Sequence, residues 1–543
     1  MLLAAFGFAS FQVHAYEQGV SRQSFLLRGA IPVPVLRFTP QVGQRLNVVA
    51  VLAHGYSANK GLMSSFAVDL AKQGITSYTF DFPGHGASPV TYGGAGGLTP
   101  ARELVASLGE VVDYALAHAP APNTRLVLVG YSLGTIAVGE YALQHPTQGN
   151  IAATVLVAGI LGDRPSRTVP RSLLVLSGQF DLPGINDTAR QVMAAGCGVS
   201  VQAITNTYQC GALPVTERRR VVLPGLDHIS IVTAGSTHAV VLSWLHATVD
   251  PRIGAVPVYP DVRLHWMLLG FLAAAFATLP LLALGAAALR LATGAKHGAT
   301  PEPAVFSARP AVPGWLAMLA YGGALAGALV LLKLYLPASF WAPEPFPFGF
   351  MHQQVSGDTA VLLLLAGVLL VGILALVPAP RGAASWPTWA GWWRQAALAL
   401  AVAVFLYATI GGLSSFAWES LALSPARLWR AGVYALLVLP FFVGLRALLG
   451  AATRRRPHRG ALTELGYTLL ILVAFGVAIA MNFERLSYLG ILLPIVAIAL
   501  LASAGIAAWA RRVLAHPTLT LALGQALLLG WLLAAPLPLI SYH

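Results

Sequence analysis

A serine can break an acyl bond when its hydroxyl stands clear, a base is in reach and donors await the oxyanion. Gly130-Tyr131-Ser132-Leu133-Gly134 supplies such a serine. An apolar, β-prone run, Arg125–Val129, precedes it and a helical pattern, Leu133–Gln144, follows. Strand, sharp turn and helix form the setting in which G-x-S-x-G presents a nucleophile. The glycines admit a turn that a Cβ would obstruct, and the helix directs its positive end at the site. Asp181 follows the run Ser172–Ser177, and His228 follows Arg219–Leu223. Serine, acid, histidine is the chain order of one known hydrolytic triad. Asp187 is a second candidate for the acid and Asp163 a third; His238, within a helical pattern, is the weaker candidate base. Upstream, the run Asn47–Ala53 ends in His54-Gly55-Tyr56. The backbone N–H groups of Tyr56 and Leu133 are the expected oxyanion donors.

These residues need a scaffold that brings strand ends together. Six short apolar runs alternate with helical stretches up to about Pro260. The remaining runs are Ile75–Phe80 and Ala152–Ala158; the helical stretches are Leu62–Gln73, Ala101–His118, Leu133–Gln144, Thr188–Ala195 and Ser236–Thr248. Continuous apolar strands alternating with helices predict a parallel sheet covered on both faces.

Asp81-Phe82-Pro83-Gly84-His85-Gly86-Ala87-Ser88 directly follows one of the runs. With Gly130–Gly134 and the Gly225-Leu226-Asp227-His228 turn, it gives residues about 25–250 a plain resemblance to the α/β-hydrolase superfamily. The nearest branches are the lysophospholipases, monoglyceride lipases and small esterases. Pro83 stands where those proteins often carry Arg. The resemblance implies an α/β-hydrolase fold and acyl transfer by Ser132, Asp181 and His228, with structural roles for His54 and His85. Ser177-Gly178-Gln179-Phe180-Asp181-Leu182-Pro183 is similar to the family's acid loop. Only about a dozen residues separate Ala158 from Ser172, which leaves no room there for the cap many relatives carry. The extra length falls instead at 183–217, which could form a small flap. Thr91–Pro100 is Gly-rich but lacks the Gly-Lys-Ser/Thr of a P-loop and is read as a loop.

After Asp261 the character changes. Eight apolar stretches approach the ~20 residues needed to cross a bilayer: Trp266–Leu289, Trp315–Leu336, Thr359–Val377, Ala396–Trp418, Trp429–Leu449, Leu462–Met481, Tyr488–Trp509 and Leu519–Ile540. The predicted organisation is a leader or anchor segment at 1–20, a hydrolase domain at 21–255 and an all-α membrane domain at 262–543. Arg290, Lys296, Arg309, Arg381, Arg394, Arg446, Arg454, Arg455, Arg456, Arg459, Arg511 and Arg512 fall in alternate loops, which predicts those loops to be cytoplasmic. The hydrolase domain and the C-terminus then lie on the opposite, extracytoplasmic side. The outward loop Ala338–Asp358, rich in Pro and aromatics, is read as a connector.

Composition agrees. Of 543 residues 57% are hydrophobic and 10% charged, which excludes a purely soluble or a disordered chain. The mean hydropathy is +0.70. The net charge of +13 would suit nucleic acid, but residues 1–260 hold 16 basic against 13 acidic side chains and residues 261–543 hold 17 against 7. The excess belongs to membrane loops, so no nucleic-acid partner is expected. Met1–Val13 is apolar and precedes Val13-His14-Ala15, similar to a secretory cleavage site or the end of a longer anchor. Cys197 and Cys210 are the only cysteines, both in the segment expected outside, and suit one local disulfide. No Cys/His spacing suggests zinc, and no metal or organic cofactor is implied. The expected substrate is a lipid or envelope-linked ester at the extracytoplasmic face, an expectation drawn from location. A peptidase of the same fold, and a transporter or assembly protein using the domain for binding, are the alternatives. The bacterial inner or plasma membrane is the expected home; oligomeric state is not legible.

Overall fold

The computed structural model describes residues 1–93, 99–146, 150–159, 161, 165–182, 184–212, 216–254, 261–293, 312–336, 353–376, 389–417, 421–453, 460–510 and 517–540. Asp163, the centre of the Gly-rich loop, most of 338–358 and most of the basic loops lie outside the described residues. Two compact units emerge. One comprises Phe8–Leu268, Ser414–Ala422 and Pro538–His543; the other comprises Met1–Gly7, Leu269–Leu413 and Leu423–Leu537.

The first unit is built on a sheet of nine strands among the described residues. They are β1 (Val20–Arg28), β2 (Pro32–Pro40), β3 (Val48–Ala53), β4 (Thr76–Phe80), β5 (Arg125–Tyr131), β6 (Ile151–Val157), β7 (Leu173–Phe180), β8 (Thr207–Cys210) and β9 (Arg218–Asp227). Their spatial order is β1-β2-β4-β3-β5-β6-β7-β9-β8. β4, β3, β5, β6, β7 and β9 run parallel. The β1–β2 hairpin and β8 run antiparallel at the two edges. Every residue of β3 is buried. Val49, Val51 and Ala53 join one core with α3 (Pro100–Ala117), α4 (Gly134–Gln144) and α5 (Ile185–Cys197). Val48, Ala50 and Leu52 join the other with α2 (Ser64–Lys72) and α6 (Gly235–Thr248). Period-two alternation therefore serves two apolar layers, which is why the sequence shows an unbroken apolar run.

One expectation is revised. The 183–217 segment is not a flap. α5 packs its apolar side, including Ala189, Val192 and Met193, into the core, and β8 closes the sheet edge against β9. The Cys197–Cys210 disulfide ties the end of α5 to the end of β8. The N-terminal segment is a helix, α1 (Leu2–Ala15), leading into β1.

The second unit is helical. Among the described residues six helices are long and apolar enough to cross a membrane: Arg263–Ala288, Gly314–Tyr335, Val355–Leu376, Trp392–Ser415, Pro425–Ala452 and Leu462–Met481. Eight were expected. The last two exist as helices, Phe483–Ala510 and Pro517–Ala534, but their described apolar stretches, Val496–Ala510 and Thr518–Ala534, are shorter. The eighth stops at Ala534 because Pro536 and Pro538 withhold the N–H groups that would continue it. Within this unit Arg446 pairs with Glu464 and donates to Gln525, whose amide donates to Ser503. Arg427 donates to the carbonyls of Ala534, Ala535 and Leu537, satisfying acceptors that the helix end leaves open.

Candidate active site

Ser132, Asp181 and His228 are each the residue immediately after a parallel strand: β5 ends at Tyr131, β7 at Phe180 and β9 at Asp227. Parallel strands bring their carboxyl ends to one edge, so three residues far apart in sequence meet there. His228 Nε2 lies 3.0 Å from Ser132 Oγ, and His228 Nδ1 lies 2.6 Å from Asp181 Oδ1. Asp181 also accepts the Gly178 N–H at 3.1 Å and the Leu182 N–H at 2.9 Å. These donors fix the carboxylate so that one oxygen faces the imidazole. Tyr131 donates its hydroxyl to the His228 carbonyl at 2.8 Å. The residue before the serine thus anchors the histidine loop, a role that no local motif announces.

Ser132 stands on a strained turn with φ +49°, and its N–H donates to Val157 O at 2.9 Å. Ser57 (φ +57°) and Ala158 (φ +50°) share that left-handed conformation, one in the turn after β3 and the other directly after β6. Each costs roughly 1–2 kcal/mol for a residue with a Cβ. The glycines of the motif are demanded by close approach. A Cβ on Gly130 would lie 2.5 Å from Gly134 O, and one on Gly134 would lie 2.3 Å from Ala53 O.

The turn after β3 abuts the serine: a Cβ on Gly55 would stand 3.0 Å from Ser132 Cβ. His54 holds that turn. Its Nε2 accepts the Phe82 N–H at 3.2 Å, so its proton resides on Nδ1, which donates to Gly55 O at 2.7 Å. The Gly55 carbonyl and the Tyr56 N–H belong to one peptide plane, so this bond orients that N–H. Complete burial lowers the His54 pKa to about 4, although Asp81 and the bond to Gly55 pull the other way. Asp81 is buried and paired with Lys60 at 2.7 Å; it also accepts the N–H groups of Lys60 at 2.7 Å and Ala87 at 2.9 Å. The 81–88 loop and the turn after β3 are therefore bound to each other.

The other candidates lie elsewhere. Asp187 is exposed and pairs with Arg190. His238 directs Nδ1 to Asp69 at 2.6 Å and Nε2 to Val232 O at 2.8 Å, in the cluster containing Tyr16. Asp227, beside His228, accepts from Ser230 and Ile229. Burial pushes its pKa up, but these bonds outweigh that and hold it below the usual carboxylate range.

Residues 44–181 match the family profile described as serine aminopeptidase, S33. The match runs from the approach to β3 through Ser132 to Asp181. The chain carries an α/β-hydrolase domain. Its core strand order, helices on both sheet faces and strained serine turn belong to that fold. No curated protein matches the chain in sequence. Two apolar side chains stand exposed beside this series, Phe180 at 66% and Ile229 at 46%, each adjoining one of its residues.

Proposed function

We propose that the chain is a membrane-integral serine hydrolase whose nucleophile is Ser132. The observation that carries this reading is the hydrogen-bonded series Ser132–His228–Asp181. His228 Nε2 takes the serine proton as Oγ bonds to the acyl carbon. The carbonyl oxygen becomes an oxyanion, held by the Tyr56 and Leu133 N–H groups. His228 then gives its proton to the leaving oxygen, the acyl-enzyme forms, and water repeats the sequence to release the acid. Asp181 keeps the ring proton on Nδ1 and stabilises the imidazolium.

The substrate class we favour is a lipid or envelope-linked ester at the extracytoplasmic face. The exposed Phe180 and Ile229 suit an acyl chain, and the apolar helices tether the domain to a bilayer. Ser414–Ala422 and Pro538–His543 share the hydrolase unit, which fits an even number of crossings between domain and tail. The alternation of basic loops supports an outward-facing domain. Cleavage of an N-terminal peptide bond is the second reading, favoured by the description of the matching profile.

The test is labelling of native membranes by a fluorophosphonate probe, comparing wild type with Ser132→Ala. Labelling lost in the variant is the expected result; an unlabelled, folded wild type would return the domain to a binding role. Turnover of a medium-chain ester against an aminoacyl amide separates the two reactions. Alkaline phosphatase fused after residue 255 should be active and after residue 309 inactive; the reverse pattern overturns the orientation.

A further inference from the structure

Pro538–His543 belongs to the same compact unit as the hydrolase domain, although the sheet of that domain ends in sequence at Asp227. The attachment is specific. Leu539 N–H donates to Gly84 O at 2.7 Å, and Tyr92 N–H donates to Leu539 O at 2.8 Å. Tyr92 and Ile540 form a parallel bridge. Leu539 and Ile540 are buried, and Ile540 joins the core cluster that holds Phe82, Tyr92 and the strands β3 and β4. Gly84 has φ +74°, and a Cβ there would lie 2.2 Å from Leu539 O. The loop is shaped to receive the tail.

From this loop the contacts lead to the serine. His85 packs its ring against Tyr92 at 6.0 Å, His54 at 5.1 Å and Tyr56 at 5.7 Å. His54 in turn orients the peptide that carries the Tyr56 N–H. We infer that Leu539 and Ile540 are positioning residues for the reaction: they form a strap that pairs with the 84–92 loop and holds the oxyanion turn in place. Main-chain pairing of an added segment is a general means of fixing an exposed backbone edge. Here the segment comes from the far end of the same chain. The inference rests on the hydrolase reading, and it implies that residues 21–255 alone lack a part of the site.

The test uses the full-length protein in detergent, with p-nitrophenyl butyrate as substrate. Leu539→Pro removes the N–H given to Gly84. It should lower kcat by about 10-fold to 100-fold, the scale of a small misplacement at the reacting centre, with KM within about twofold, because an oxyanion donor acts in the transition state. Leu539→Met, which restores the N–H and the bulk, should recover the rate. Ile540→Ala should act in the same direction if Leu539→Pro does not accumulate. An unchanged kcat in Leu539→Pro, or an equal rise in KM and fall in kcat, overturns the proposal. Amide exchange in the wild type gives a readout independent of any variant: the Tyr92 and Leu539 amides should be protected like that of Asp81. Free exchange at both in an active enzyme removes the strap. Protected amides in a wild type that the fluorophosphonate leaves unlabelled place the failure in the hydrolase reading.

Discussion

His54 illustrates how a residue outside the reacting group shapes it. One nitrogen accepts from Phe82 and the other donates to Gly55, an arrangement open only to the neutral ring. Its pKa in the fold is about 4, against ~6.5 for an unfolded histidine. Between those values the unfolded chain binds the extra proton, so stability falls as pH falls. The contribution is complete above about pH 6.5 and is lost progressively toward pH 4, on the order of 3 kcal/mol in total. His54→Gln carries no such linkage. The difference in melting temperature between wild type and variant should therefore narrow from pH 7 to pH 4.5; a constant difference would show that His54 already protonates near its ordinary pKa. At this scale the motif residues were legible because each sits a fixed step from a strand end: Ser132 in G-x-S-x-G, Asp181 after an apolar run, His228 after a Gly-containing turn. The Tyr131 bond to the His228 carbonyl and the Lys60–Asp81 pair were not, because only the folded backbone joins such distant residues.

At the scale of elements, the start of α4 has to press against the end of β3. Gly134 permits this, with Ala53 O and His54 O standing 2.3 Å and 2.7 Å from where a Cβ would be. Gly134→Ala cannot be absorbed by a side-chain rotation, since both obstacles are backbone. It should cost roughly 1–3 kcal/mol, the range for overpacking a filled interior, and slow fluorophosphonate labelling of Ser132 by displacing the His54–Tyr56 turn. A normal melting temperature with normal labelling would show that the two elements are not in contact. The six parallel strands were readable from their apolar runs. β1, β2 and β8 were not: β1 is largely exposed and mixed in polarity, β2 begins and ends in proline, and β8 has only four residues. β1 and β8 are the edge strands, and an edge strand buries one face or less, so its sequence carries a weaker pattern; β2 lies inside β1 and is largely buried, and its prolines disguise it. The eighth apolar stretch was overread for the opposite reason, since hydropathy continued past Ala534 while Pro536 and Pro538 had already ended the helix.

Over the whole molecule, two kinds of solvent divide the sequence. The charge-poor half after Asp261 gives helices whose polar groups satisfy one another, as Arg446 does with Glu464 and Gln525. Hydropathy located these helices but could not reveal which polar side chains pair, nor that residues 538–540 return to the hydrolase unit. Three apolar letters, Pro538-Leu539-Ile540, carry no address for the backbone they will pair with. The hydrolase half owes its legibility to the sheet, whose order converts chain position into spatial position.

Ser57, Ser132 and Ala158 place three left-handed residues just beyond the ends of the neighbouring strands β3, β5 and β6. Their combined strain is several kcal/mol by the usual cost of such conformations, and the surrounding ladder bears it through bonds such as Ala158 N–H to Leu176 O. Heat should exploit that imbalance. As the ladder loosens, the strained edge gains most by relaxing, so it should give way while the buried strands and the helices remain folded. Activity would then fade at a lower temperature than helical content. A heating series read in parallel by Ser132 labelling and by far-ultraviolet circular dichroism should show two separated transitions; coincident curves would mean that the edge and the core melt as one.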